Sequence, residues 1–200
     1  MTTRLQRLKR DVVNLPNMIT IGRVFLIPPV LLLVDRADPF LCVLGMILFM
    51  LVSALDIVDG WLARRQQLVT VFGKFMDPLA DKIMVMSLLI YLVADGRVPA
   101  WLVVVLLTRE FYISGLRVVA ASEGVVMAAG VGGKAKTGFQ LIGICFLLVH
   151  YTYRMPGLSE TINFHTVGLI LLGISALLSV LSAVTYTLDF GAALASKSTE

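Results

Sequence analysis

Four aspartates carry the first chemical signal in this 200-residue chain: Asp56 and Asp59, then Asp77 and Asp81. Each pair sits inside an apolar stretch, where an Asp at the centre of a bilayer costs about 2.5–3.5 kcal/mol on the gentlest scale. Asp56, Asp59, Gly60 and Ala63 stand at i, i+3, i+4 and i+7, so they share one face of a helix. Gly73, Asp77 and Asp81 stand four apart and do the same on the next apolar stretch. The connector Arg65–Phe72 is short, so the two helices must be antiparallel neighbours and their acidic faces can meet. Four carboxylates in one groove repel unless cations intervene, and two divalent ions would cancel their charge. Oxygen-only ligands favour a hard ion, Mg²⁺ or Mn²⁺, over zinc. Magnesium completes its shell with substrate phosphates, and a pair of such ions suits in-line displacement at phosphorus. Gly60, Ala63 and Gly73 offer no bulk between the faces, which leaves room for a phosphorylated ligand.

The elements that position these acids follow from composition. Hydrophobic residues make up 58%, charged residues 15%, and mean hydropathy is +0.90. A soluble domain carries about 45–50% apolar and about 25% charged residues, so the chain is too apolar for a water-coated fold and is expected to be an integral membrane protein. That composition excludes disorder, a coiled coil and a nucleic-acid-binding arm. Cys42 and Cys145 are the only cysteines and lie in apolar runs, which excludes a disulfide scaffold and gives thiol chemistry no support. The net charge of +4 fits contact with anionic head groups or phosphorylated substrates.

Reading for runs of about 20 apolar residues gives six spans: Met18–Val34, Phe40–Ala63, Gly73–Ala94, Ala100–Ala121, Gly138–Tyr151 and Phe164–Leu188, the fifth short as drawn and open to a start nearer Gly132. Pro28-Pro29 is expected to kink the first. The expectation is an all-α six-transmembrane-helix bundle over residues 17–190. Residues 1–16 would precede it as an interfacial amphipathic helix, or as a merely basic tail, and a polar tail of residues 191–200 would follow. Over Thr3–Val13, Leu5, Leu8 and Val12 recur at helical spacing opposite Arg4, Arg7, Lys9 and Arg10. With the N-terminus inside, the inner segments hold Arg4, Arg7, Lys9, Arg10, Arg64, Arg65, Lys74, Lys134, Lys136 and Lys197, against Arg36, Arg97 and Arg154 outside. That bias puts both termini and the acids on the cytoplasmic side. A divalent-cation transporter could also bury four Asp residues, but it would need a polar exit, and the outer halves of these helices are apolar.

The stretch Asp56-Ile-Val-Asp59-Gly60-Trp-Leu-Ala63-Arg64, followed by Gly73, Asp77 and Asp81, resembles the signature of the CDP-alcohol phosphatidyltransferases at all eight of its fixed positions. Asn14-Leu-Pro-Asn17-Met-Ile-Thr20-Ile-Gly-Arg23, Met76-Asp77-Pro78-Leu-Ala-Asp81-Lys82, Arg109-Glu110, Ser114-Gly-Leu-Arg117 and Gly133-Lys134-Ala-Lys136-Thr137 resemble one bacterial branch of that family. That branch joins CDP-diacylglycerol to glycerol 3-phosphate and releases CMP. The resemblance implies a six-helix bundle in the bacterial inner membrane, often a homodimer among membrane lipids, with its metal site facing the cytoplasm. It implies metal ligation by Asp56, Asp59 and Asp77, and makes Asp81 both a metal neighbour and the general base. Gly60, Ala63, Arg64 and Gly73 would accommodate the CDP moiety, with Arg64 near the pyrophosphate and Asn17 and Thr20 on the nucleotide side.

The same resemblance puts Arg109, Arg117 and Lys134 where glycerol 3-phosphate is held. The residues themselves are consistent with that, since buried basic side chains need an anion and Glu110 alone cannot serve them all. Arg109 and Arg117 lie about 12 Å apart along a helix axis and could line one cavity at two depths. Lys136 is balanced between that pocket and the interface. Inositol phosphate, serine or phosphatidylglycerol are the alternative acceptors, and the basic cluster disfavours serine. His150, His165, Trp61, Trp101, Tyr151 and Tyr153 read as interface residues.

Overall fold

The computed structural model describes residues 15–35, 38–65, 71–124, 131–154 and 161–197. Within those stretches, side chains at 15–16, 35, 56–65, 71–72, 74–75, 77–78, 131–134 and 197 lie outside the description. The expected interfacial helix over residues 1–16 therefore falls almost wholly outside the described residues. The chain is mostly helical and divides into two units, Met1–Leu92 and Val93–Glu200.

In the first unit, α1 (Leu15–Phe25) and α2 (Ile27–Asp35) are the two halves of the first apolar run. The helix breaks at Leu26. Pro28 and Pro29 have no amide hydrogen to return to the carbonyls of Val24 and Phe25, so the ladder cannot continue through that turn. α3 (Pro39–Arg65) then runs unbroken for 27 residues. Its start is dictated locally: an Asp38 side-chain oxygen accepts from the amides of Phe40 at 2.8 Å and Leu41 at 3.1 Å, with Pro39 at the first helical position. Both α1 and α2 pack on α3. α4 (Val71–Ala94) supplies buried Ala80, Met84, Leu88, Leu89 and Leu92. Leu26, Ile27 and Val30, Phe49 and Val52, and Met84 and Leu88 share one tight apolar seam.

In the second unit, α5 (Ala100–Ser122) and α6 (Val131–Val149) both pack on the long α7 (Phe164–Lys197). The α6–α7 crossing depends on two glycines. A Cβ on Gly168 would meet the Gly143 carbonyl oxygen at 3.0 Å and Leu147 Cγ at 2.7 Å, and one on Gly143 would meet the Gly168 carbonyl at 3.2 Å. Small residues at such points let apolar helices approach backbone to backbone, where dispersion replaces the hydrophobic effect. Between α6 and α7 the chain forms a short antiparallel hairpin, β1 (Thr152–Arg154) with β2 (Thr161–Asn163), pairing Tyr153 with Ile162. Asn163 Oδ1 accepts from the Thr166 amide at 3.1 Å and so caps α7.

Two of these elements differ from the sequence expectation. The hairpin lies where only a turn is expected, since its strands are three residues each. α7 continues nine residues past Leu188, through most of the expected tail, because Gly191-Ala-Ala-Leu-Ala195 contains mainly strong helix formers. Among the described residues, Asn17–Val34 and Phe164–Ser196 are long and apolar enough to cross a membrane by length and composition.

Candidate functional site

The first unit carries the acids. Asp56 and Asp59 fall in the last three turns of the unbroken α3, and Asp77 and Asp81 in the first three turns of α4. The i, i+3 and i, i+4 spacings read from sequence therefore fall within continuous helices. The side chains of Asp56, Asp59, Gly60, Ala63, Arg64 and Asp77 lie outside the described residues. Gly73 is buried and Asp81 is half-buried. On α1, Asn17 is 2% exposed and Thr20 0%, two polar side chains turned into the protein one turn apart.

The donor set fits a hard divalent cation. It is all carboxylate, and neither the Asp56–Ala63 nor the Gly73–Asp81 stretch contains His or Cys to attract a softer metal. Among the described residues no group of three or more His, Cys, Asp or Glu is placed to hold a metal.

The second unit carries the bases. Arg109 Nη1 donates to Glu110 Oε2 at 3.2 Å, and Arg109 Nη2 donates to Ser182 Oγ on α7 at 2.9 Å. Lys136 Nζ on α6 donates to the same Glu110 oxygen at 2.6 Å. Ser175 Oγ, from α7, donates to the Lys136 carbonyl at 3.0 Å. One carboxylate oxygen thus serves two cations, a net charge of +1 in a largely buried cluster. The Arg117 guanidinium lies 5.7 Å from the centroid of the buried Tyr186 ring, a cation–π contact one turn beyond Ser182 on α7.

Arg109 and Arg117 therefore both turn toward α7 but do not line one cavity. Arg109 borders an open groove of about 520 Å³ between α5 and α7, where Val104, Val105, Val180 and Val184 are apolar walls. Arg117 lies outside it. Lys136, which the sequence left balanced, is in the cluster, while the side chain of Lys134 lies outside the described residues. Ser182 and Tyr186 were missed, since a serine and a tyrosine in a generic apolar helix carry no signal until the Arg side chains facing them are known.

A second basic site in this unit is built differently. Arg97, 4% exposed, forms an ion pair with Asp95. It also donates through Nη1 to the carbonyls of Leu147 at 3.2 Å and Leu148 at 2.8 Å, closing the C-terminal turn of α6. Beside it, His150 takes a left-handed φ of 63° and its Nδ1 lies 3.1 Å from His165 Nδ1. Burial, followed by the Arg97 and His165 charges, lowers the His150 pKa below its ordinary 6.5, against a weaker pull from Asp95.

The first unit thus holds two acidic pairs at helical spacing, and the second a cluster of basic side chains around Glu110. The chain belongs to the CDP-alcohol phosphatidyltransferase family, whose model matches residues 13–187. Enzymes of this family generally depend on a divalent metal. Among its relatives, the CDP-diacylglycerol–glycerol-3-phosphate 3-phosphatidyltransferase of Bacillus subtilis strain 168 is 45% identical, over 68% of this chain and 77% of the relative. The Rickettsia bellii enzyme of the same name is 36% identical over 86% of this chain and 93% of the relative. A CMP-forming cardiolipin synthase of rice is 32% identical over 86% of this chain and 56% of the relative.

Proposed function

We propose that this enzyme transfers the phosphatidyl group of CDP-diacylglycerol to the sn-1 hydroxyl of glycerol 3-phosphate, giving phosphatidylglycerophosphate and CMP. The observation that supports this reading is the Arg109–Glu110–Lys136 cluster: two described cations share its one carboxylate, which suits an acceptor that brings its own phosphate. The names of the Bacillus and Rickettsia relatives agree.

In this reading the chain crosses a bacterial inner membrane six times, counting α1–α2 as one span. At about 1.5 Å per residue, α3 to α5 run about 34–40 Å and α6 about 28 Å, against a hydrocarbon core of about 30 Å. Residues 1–16 lie on the inner leaflet, residues 17–190 form the transferase domain, and both termini and the acids face the cytoplasm. The enzyme works as a homodimer.

Asp56, Asp59, Asp77 and Asp81 would hold two divalent cations, Mg²⁺ or Mn²⁺. Bound there, such ions supply positive charge against the liponucleotide diphosphate. Gly60, Ala63 and Gly73 leave room for the CDP moiety, Arg64 neutralises its pyrophosphate, and Asn17 and Thr20 contact the nucleotide. Arg109 and Lys136, with Lys134, hold the acceptor phosphate, and Arg117 adds positive charge from its place against Tyr186. Asp81 accepts the proton of the sn-1 hydroxyl as that oxygen forms its bond to the β-phosphorus. The bond from that phosphorus to the CMP oxygen breaks in line, and CMP departs as the anion.

The test supplies purified protein with Mg²⁺ and CDP-diacylglycerol, then measures CMP release with glycerol 3-phosphate, inositol phosphate, serine or phosphatidylglycerol. Brisk release with glycerol 3-phosphate alone is the expected result. Release with phosphatidylglycerol instead would favour the second reading, to which the rice cardiolipin synthase points. In a parallel arm, Asp81→Asn should cut turnover by roughly 10²–10⁴-fold while CDP-diacylglycerol still binds. Retained turnover would remove Asp81 from the base role.

A further inference from the structure

Arg23 is the one charged side chain on α1, and the mechanism above gives it no task. It is 2% exposed, on the same buried stripe as Asn17 and Thr20. A guanidinium this deep in an apolar helix is costly unless fixed negative charge lies at its level.

The register of the first unit shows what lies at that level. A Cβ on Gly45 would meet Val34, Leu33 and the Val30 carbonyl. Ile27 and Val30 share their seam with Phe49 and Val52. Stepping back along the first helix from Val34 to Val30 to Ile27 therefore steps forward along α3 from 45 to 49 to 52. This is the signature of antiparallel neighbours, and α1 continues the packing on α3. One more turn in the same register brings Arg23 level with position 56, and the next brings Thr20 level with position 59. On α4, Met84 belongs to the same seam, so the turn before it, Ala80–Asp81, falls at the level of Arg23.

We infer that Arg23 is a built-in cation of the acidic site, a positioning residue that offsets one of the four aspartate charges before metal or substrate arrives. The inference rests on the reading of those acids as the metal site and adds a residue to it. It also explains a charge balance. Four carboxylates and two divalent ions sum to zero, which leaves Arg64 alone to attract a diphosphate. Adding Arg23 raises the net charge facing the incoming anion from +1 to +2 and weakens the hold on each cation.

The experiment is Mn²⁺ binding to the purified full-length protein without substrates, followed by the loss of the free-ion paramagnetic resonance signal. Arg23→Gln should bind Mn²⁺ tighter, by about tenfold or more, because a nearby positive charge has gone. Arg23→Lys, which keeps the charge, should stay within about twofold of the parent protein. Equal affinity in the parent and Arg23→Gln proteins, or weaker binding in Arg23→Gln, would overturn the inference and leave the metal site standing. A parent protein that takes up no Mn²⁺ would instead overturn the metal reading beneath it. If Arg23→Gln alone does not fold, adding Asp56→Asn should restore folding by removing the opposite charge at the same level. Failure of that rescue would also overturn the inference.

Discussion

Two basic sites in the second unit use buried cations in opposite ways. Arg97 meets one carboxylate, Asp95, and two carbonyls at the end of α6, so its charge is matched and its donors are directed at backbone. Arg109 and Lys136 converge on a single Glu110 oxygen, and Arg117 rests on an aromatic face. The first arrangement is complete without a ligand. In the second, two described cations share one carboxylate, which under the proposed function suits a ligand that brings its own phosphate. Burial of a cation alone therefore says little about function in this fold; Arg97 closes a helix end, and the ratio of cations to local anions is what sets the Glu110 cluster apart from it.

The contrast can be broken most forcefully at Arg97. Arg97→Ala should lower stability by roughly 3 kcal/mol, since it strands Asp95 and two carbonyls at the α6 terminus. Thermal unfolding in detergent would read that loss, while the surviving folded enzyme should keep its acceptor KM. A shifted KM with unchanged stability would move Arg97 into the substrate site. Glu110→Gln comes next. It leaves Arg109 and Lys136 facing one another without their shared anion, at a cost of about 1–3 kcal/mol, and added phosphate or glycerol 3-phosphate should restore part of the lost stability. Absence of any ligand rescue would mean the cluster is structural.

The smallest effect concerns pH. The folded pKa of His150 lies below its ordinary 6.5, so the unfolded chain takes up the proton first as the medium acidifies. The stability His150 contributes is complete above pH 6.5 and declines as pH falls from there toward the folded value. His150→Asn, which tolerates the left-handed φ, should flatten that decline. An unchanged pH profile in the variant would assign the decline to another group.

Much of this architecture is visible in the residues alone, and the exceptions have physical causes. Apolar runs bounded by Pro, Gly and charge mark every long helix, because lipid leaves the backbone no partner but itself. The break at Leu26 follows from Pro28 and Pro29. The hairpin at Thr152 and Thr161 is three residues a side, too short for a periodic pattern to stand out. At the acidic site, the spacing of Asp56, Asp59, Asp77 and Asp81 needs only helical geometry to be read, and α3 and α4 supply it. At the basic site Arg109 and Arg117 are conspicuous against Val and Leu, but their destinations are not. Ser182 and Tyr186 become partners only through the way α5 lies on α7. That Lys136, which the sequence leaves between pocket and interface, joins Glu110 has the same tertiary cause.

Two-substrate kinetics of Arg109→Ala reads whether the cations around Glu110 hold the acceptor's phosphate. The KM for glycerol 3-phosphate should rise on the order of tenfold to a hundredfold, the loss of charge-assisted hydrogen bonds to a phosphate. The KM for CDP-diacylglycerol should stay within about twofold. Equal increases for both substrates, or an unchanged acceptor KM beside a stability loss like that of Arg97→Ala, would contradict that role.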